Sequence, residues 1–110
     1  MSTTNFFPAL VVKGERIQAP NSTGSEPPLT PAPAGACDCH HHIFDPRFPD
    51  ANGKPHPSVA TVDDYLLFRR RLGLSRSIVI AASTDRDNNS CVLDALDRLG
   101  GTSRGVNKTE

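Results

Sequence analysis

Three of the four histidines and two of the three cysteines of this 110-residue chain fall in one short run, Cys37-Asp38-Cys39-His40-His41-His42-Ile43-Phe44. On an extended backbone side chains alternate between faces, so His40 and His42 point one way while Cys37, Cys39, His41 and Ile43 point the other. Two imidazoles on one face can converge on a single zinc-like divalent ion with nitrogens at roughly 2 Å, leaving positions for further ligands and water. Two ligands alone make a weak site, and without other context such a pair is more often satisfied by backbone groups. Cys37 and Cys39 sit badly for a mutual disulfide in a strand and read as small thiols packed under a helix. Asp38 reads as an orienting carboxylate, able to hold a histidine tautomer. His56 reads as a solvated loop residue.

The elements that must position this run alternate. Residues 36–44 read as a strand of about eight or nine residues, ended by Asp45-Pro46 because proline cannot continue a ladder. A long loop of residues 45–60 follows, with four prolines and an Asn52-Gly53 turn. Connections of that length are often functional. Thr61 is an N-cap, and Asp63 and Asp64 lie where the helix dipole favours negative charge, so a helix should start near Val62. Val62, Tyr65, Leu66 and Leu72 recur at helical spacing, the run Arg69-Arg70-Arg71 reads as a solvated C-terminal end, and Gly73 is the terminal cap. Residues 77–82 are apolar and β-branched, as in a parallel strand covered on both faces. A polar loop, 83–89, precedes a second amphipathic helix marked by Val92, Leu93, Leu96 and Leu99 and closed by Gly100-Gly101. Cys91 belongs to its core face. Residues 103–106 begin a third strand.

Strand, helix, strand, helix and strand start define an α/β class with a parallel sheet or barrel. Two βα units and part of a third leave strand edges and faces uncovered, whereas a (β/α)8 TIM barrel closes at about 250 residues. The expectation is the N-terminal portion of such a barrel, incomplete on its own. Ahead of it, residues 19–34 hold five prolines and few large apolar side chains, which predicts a flexible lead over 1–34. The barrel portion spans 35–106, and the polar residues 107–110 read as a tail.

Composition excludes some partners. Twelve basic residues balance twelve acidic ones, so nothing marks a nucleic-acid or anionic-membrane surface. No apolar run approaches the roughly 20 residues of a membrane span. The N-terminus shows no secretory signal, and three unpaired-looking cysteines fit a reducing, cytoplasmic location.

The motif Asp38-Cys39-His40-His41-His42-Ile43-Phe44 resembles the first strand of the amidohydrolase-related TIM-barrel hydrolases, Asp-x-His-x-His before an apolar residue. Its setting is most similar to the 2-pyrone-4,6-dicarboxylate lactonase branch. Pro33-Ala34-Gly35-Ala36 precedes the strand, and Arg47-Phe48-Pro49 and Arg71-Leu72-Gly73-Leu74 follow it. Ala81-Ala82-Ser83, Asp87-Asn88, Leu93-Asp94-Ala95 and Arg104-Gly105-Val106 then come in the expected order. The resemblance implies hydrolysis of a small anionic cyclic ester (lactone) or amide, with His40 and His42 as catalytic residues at the C-terminal end of the first strand. In metal-dependent members the same two histidines would be metal ligands, while the lactonase branch implies no cofactor. It also implies that Ser83 binds a substrate carboxylate through its hydroxyl.

Later strands of the family supply two more histidines and an aspartate that this chain lacks, so the chain alone is expected to be catalytically incompetent. It also lacks the tyrosine often found before the first helix, with His56 near that place. The polar end at 107–110 reads as an early stop. Two alternatives come from other classes: a small metal-binding or interaction protein that captures an ion with the Cys37–His42 tract, and a non-catalytic remnant.

Overall fold

A computed structural model describes residues 11–56, 58–86 and 88–107. The expected absence of a secretory signal, Asp87 and most of the expected tail fall outside the described residues. The chain runs β1 (Cys37–His41), α1 (Val62–Leu72), β2 (Arg76–Ile80), a 3₁₀ turn (Ser83–Asp85), α2 (Ser90–Leu99), a second 3₁₀ turn (Gly100–Thr102) and β3 (Ser103–Val106). The strands form one parallel sheet in the order β1-β2-β3. No helix among the described residues is long and apolar enough to cross a membrane.

α1 begins and ends where its sequence requires. The Thr61 hydroxyl accepts from the Asp64 N–H at 3.2 Å, and the Asp64 carboxylate accepts from the Thr61 N–H at 3.0 Å, a reciprocal capping box. Gly73 closes the helix at φ 76°, a left-handed conformation that costs glycine little. α2 buries Cys91, Val92, Ala95 and Leu99 along one stripe, and Val79 of β2 packs into the same core with Val62 and Tyr65 of α1.

The structure differs from the expected pattern in four places. β2 is buried on one face only: Ser77 and Val79 lie under the helices, whereas Ile78 and Ile80 are half-buried on the opposite face. The arginine run is not a solvated end. Arg69 is 2% and Arg71 7% exposed: α1 turns residues 62, 65 and 69 inward, whereas Arg71, on the opposite side of the helix, is covered by the segment that precedes β1. The guanidinium of Arg69 donates to Thr102 Oγ1 at 3.2 Å, beneath the start of β3.

The lead, expected to be flexible, is tied to α1 between residues 15 and 25. Arg71 donates to the carbonyls of Ile17, Thr23 and Gly24, Ile17 N–H donates to Ser25 O at 2.9 Å, and Ala19 is wholly buried. A guanidinium offers five donors in a rigid fork, enough to gather several carbonyls of a segment that has no ladder of its own. Last, β1 is shorter than expected and irregular. Asp38 pairs with Ser77 but His41 with Val79, three residues on β1 against two on β2. This extra residue breaks simple alternation of faces.

Candidate active site

The bulge decides where each side chain of the histidine run goes. Asp38 and His41 come to the same side, against α1. The Tyr65 hydroxyl donates to Asp38 Oδ2 at 2.8 Å, and the His41 ring stacks on Tyr65 with centroids 3.6 Å apart. His41 Nε2 lies 3.0 Å from Ser77 Oγ, which in turn lies 2.6 Å from Ser103 Oγ. Burial, with a further push from Arg69, lowers the His41 pKa to about 4, against the opposing pull of Asp38. The ring is neutral near pH 7. Burial first, then the Asp38 carboxylate, pushes the Tyr65 phenol upward, so it stays a donor. His41 therefore packs under the helix as the alternation suggested, but Cys39 does not: it is exposed, and Cys37 is half-buried. The Asp38 carboxylate serves Tyr65 and the His40 N–H at 3.1 Å rather than a histidine ring.

The His40 and His42 rings meet edge to face, with centroids 5.1 Å apart and planes nearly perpendicular. They line a depression of about 400 Å³ at the C-terminal ends of all three strands, together with Ile80 at the end of β2, Ala81 and Ser83 just after it, and Val106 at the end of β3. His42 Nδ1 lies 2.8 Å from the Ile80 carbonyl. A carbonyl only accepts, so Nδ1 carries a proton, and of the two neutral tautomers the bond selects the one with its lone pair on Nε2. That bond fixes both the tautomer and the ring plane. Ser83 is exposed on the depression. The three residues singled out from sequence thus border one concave surface.

For a metal ion, these residues offer two imidazole nitrogens. Among the described residues no group of three or more His, Cys, Asp or Glu side chains is placed to hold a metal. The Cys37–His42 tract spreads its donors: His41 goes under α1, and the Cys37 and Cys39 thiols turn toward the backbone carbonyls of Asp38 and Cys37 at 3.6 and 3.7 Å. Chemically, the depression can accept a proton or a hydrogen bond at His42 Nε2, offer a second imidazole at His40, and donate from Ser83.

Two features near the site were not expected. His56 is not solvated: its side chain is 3% exposed, held by the Phe48 carbonyl at 3.0 Å beside the buried Asp85. The loop that carries it is tied across its base by the Phe44 and Ala60 bridge, with both backbone bonds at 2.8 Å. Nothing in the local sequence of His56 announced this, since Pro55 and Pro57 on either side read only as loop. The buried Arg69 did have a signal, because residues 62, 65, 69 and 72 share one helical stripe.

No family model matches the chain. The chain is similar to 4-sulfomuconolactone hydrolase of Rhizobium radiobacter, with 34% identity over 79 residues, covering 69% of this chain and 26% of that protein. It is likewise similar to 2-pyrone-4,6-dicarboxylate hydrolase of Comamonas testosteroni, 36% identical over 77 residues, covering 67% of this chain and 25% of that protein. The relationship is to lactone hydrolases. The chain spans about a quarter of the length of these curated relatives.

Proposed function

We propose that this chain supplies the His40 and His42 end of an amidohydrolase-related lactone hydrolase, with a small anionic cyclic ester as substrate. The observation that carries the reading is the convergence of His40, His42 and Ser83 on one depression at the C-terminal end of a parallel sheet. Similarity to two lactone hydrolases supports it. Parallel α/β enzymes build their sites at that end of the strands, and the half-buried Ile78 and Ile80 suit the inner wall of a barrel. We take the sheet to be the first part of such a barrel.

In lactone hydrolysis water adds to the ring carbonyl, the acyl carbon–oxygen bond breaks, and the ring opens to a carboxylate and a hydroxyl. His42 Nε2 is placed to accept a hydrogen bond or proton from that water, its ring held by the Ile80 carbonyl. His40 stands beside it as a second polar contact, and Ser83 donates to a substrate carboxylate. If the parent uses a divalent ion, His40 and His42 are the residues that would hold it, and the ion would lower the pKa of bound water. The remaining groups come from outside this chain, so the chain by itself is expected to be inactive.

The test is turnover of 2-pyrone-4,6-dicarboxylate and 4-sulfomuconolactone by the natural gene product, alongside His40→Ala and His42→Ala. Turnover of one lactone by the natural product, reduced on the order of 100-fold or more in each variant, is the expected result. No turnover of either lactone, or full activity in both variants, overturns the reading.

A further inference from the structure

The long loop between β1 and α1 does more than connect them. It turns back on itself at Asp50, whose carboxylate accepts from the Asn52 and Lys54 N–H groups at 2.8 and 2.9 Å. Its tip reaches the segment after β2, where Ala51 N–H donates to the Thr84 carbonyl at 2.9 Å. Beneath that contact lie two ionisable side chains, His56 and Asp85, only 3% and 6% exposed and 3.8 Å apart. His56 Nε2 donates to the Phe48 carbonyl at 3.0 Å, and Nδ1 faces the Thr84 hydroxyl at 3.5 Å. Asp85 Oδ2 accepts from the Ala82 N–H at 3.2 Å, and the Asp85 N–H donates back to Ala82 O at 2.9 Å.

These contacts enclose one residue. Ala82 and Thr84, on either side of Ser83, are both tied, while Ser83 itself stays exposed on the depression. The turn leaves through Arg86 at φ 52° and ψ −123°, a conformation costly for a side-chain-bearing residue and held only where surrounding contacts impose it. Burying a histidine and a carboxylate is also costly unless their polar atoms are satisfied, and apolar residues would close a loop more cheaply. The pair therefore specifies a geometry.

We propose that His56 and Asp85 are positioning residues, which clamp the loop onto the Ser83 turn and so fix the Ser83 hydroxyl for a carboxylate of the substrate. The assignment of Ser83 to a substrate carboxylate rests on the function proposed above; the clamp itself rests on the contacts just described.

The experiment separates the two. In the natural gene product, backbone amide exchange at Ala51 and Asp85 is compared among wild type, His56→Ala and His56→Gln, and KM and kcat are measured with 2-pyrone-4,6-dicarboxylate. His56→Ala should speed both amides at least about tenfold while leaving Tyr65 in α1 unchanged, and raise KM about tenfold with kcat within about twofold. His56→Gln, which keeps a donor for the Phe48 carbonyl, should restore both. If His56→Ala does not fold, Asp85→Ala opens the turn from the other side and is read the same way. Amides that exchange at wild-type rates overturn the clamp. Faster exchange with unchanged KM overturns its role in positioning. If the wild type turns over no lactone, the proposed function falls, and the exchange measurement still decides whether His56 holds the turn.

Discussion

His41 lies flat against Tyr65, their ring centroids 3.6 Å apart and their planes within 3° of parallel, while the same Tyr65 donates its hydroxyl to Asp38 at 2.8 Å. A protonated imidazole in that place would be half-desolvated and close to Arg69, which is why its pKa falls to about 4. In the unfolded chain the imidazole titrates at its ordinary 6.5. Above pH 6.5 both states are neutral and the ring contributes no pH dependence. As pH falls from 6.5 to 4 the unfolded state takes up a proton that the folded state refuses, so stability is lost across that window. Allowing for screening at the ring's partly open side, the loss is about 2 kcal/mol. Urea unfolding at pH 7, 5.5 and 4.5 should show it, and His41→Phe, which keeps the stack but cannot titrate, should flatten that part of the profile.

Removing the Ser83 hydroxyl should affect binding rather than chemistry. Ser83→Ala leaves the turn's backbone contacts through Ala82, Thr84 and Asp85 intact. One hydrogen bond to a charged carboxylate is worth about 1.5 kcal/mol, which corresponds to roughly a tenfold rise in KM for 2-pyrone-4,6-dicarboxylate with kcat nearly unchanged. Steady-state kinetics on the natural gene product check this, and a kcat that falls as steeply as kcat/KM would place Ser83 in the reaction itself.

The lead should come loose when Arg71 is replaced. Arg71→Met preserves much of the side-chain volume but abandons the carbonyls of Ile17, Thr23 and Gly24. The expected cost is about 2 kcal/mol, with new proteolytic cuts in residues 11–34 while α1 and the sheet stay protected. Limited trypsin digestion followed by mass spectrometry reads the position of the cuts.

Gly105 of β3 sits directly under α2. A β-carbon there would lie 2.9 Å from Leu96 Cδ1 and 3.0 Å from Val92 Cγ1. Leu96 can swing its terminal carbon aside, but the branched and buried Val92 has little room to move. Gly105→Ala should therefore destabilise by about 1–2 kcal/mol, measured by denaturant midpoint, and Val92→Ala should relieve part of that cost in the double variant.

Much of the α/β pattern was legible because local signals and global packing agree. Thr61, Asp64 and Gly73 bracket α1 by capping chemistry alone, and residues 103–106 form the third strand that was expected. The parallel pairing of β1, β2 and β3 follows from the helices between them. His40, His42 and Ser83 were singled out through a family pattern of strand-end residues rather than through periodicity, and they border one depression. What the sequence hid was tertiary. An extra residue in β1 cannot be read from alternation, since it appears only as a register against Ser77 and Val79. The fate of Cys39 and Asp38 followed from it. Arg69 was misread because charge suggested solvent, although its place in the helical stripe pointed inward. The burial of His56 depends on Asp85 and Thr84, nearly thirty residues further along the chain.

The clasp on the lead has a consequence for biosynthesis. Arg71 is 47 residues downstream of the Gly24 carbonyl that it captures. On a ribosome adding roughly 5–20 residues per second, that carbonyl exists for roughly 2–10 s before the side chain that will hold it has been made. During this interval the proline-rich lead is nascent peptide without its anchor. Synonymous codons between positions 24 and 71 would set how long the lead waits for Arg71, with no change to the finished fold.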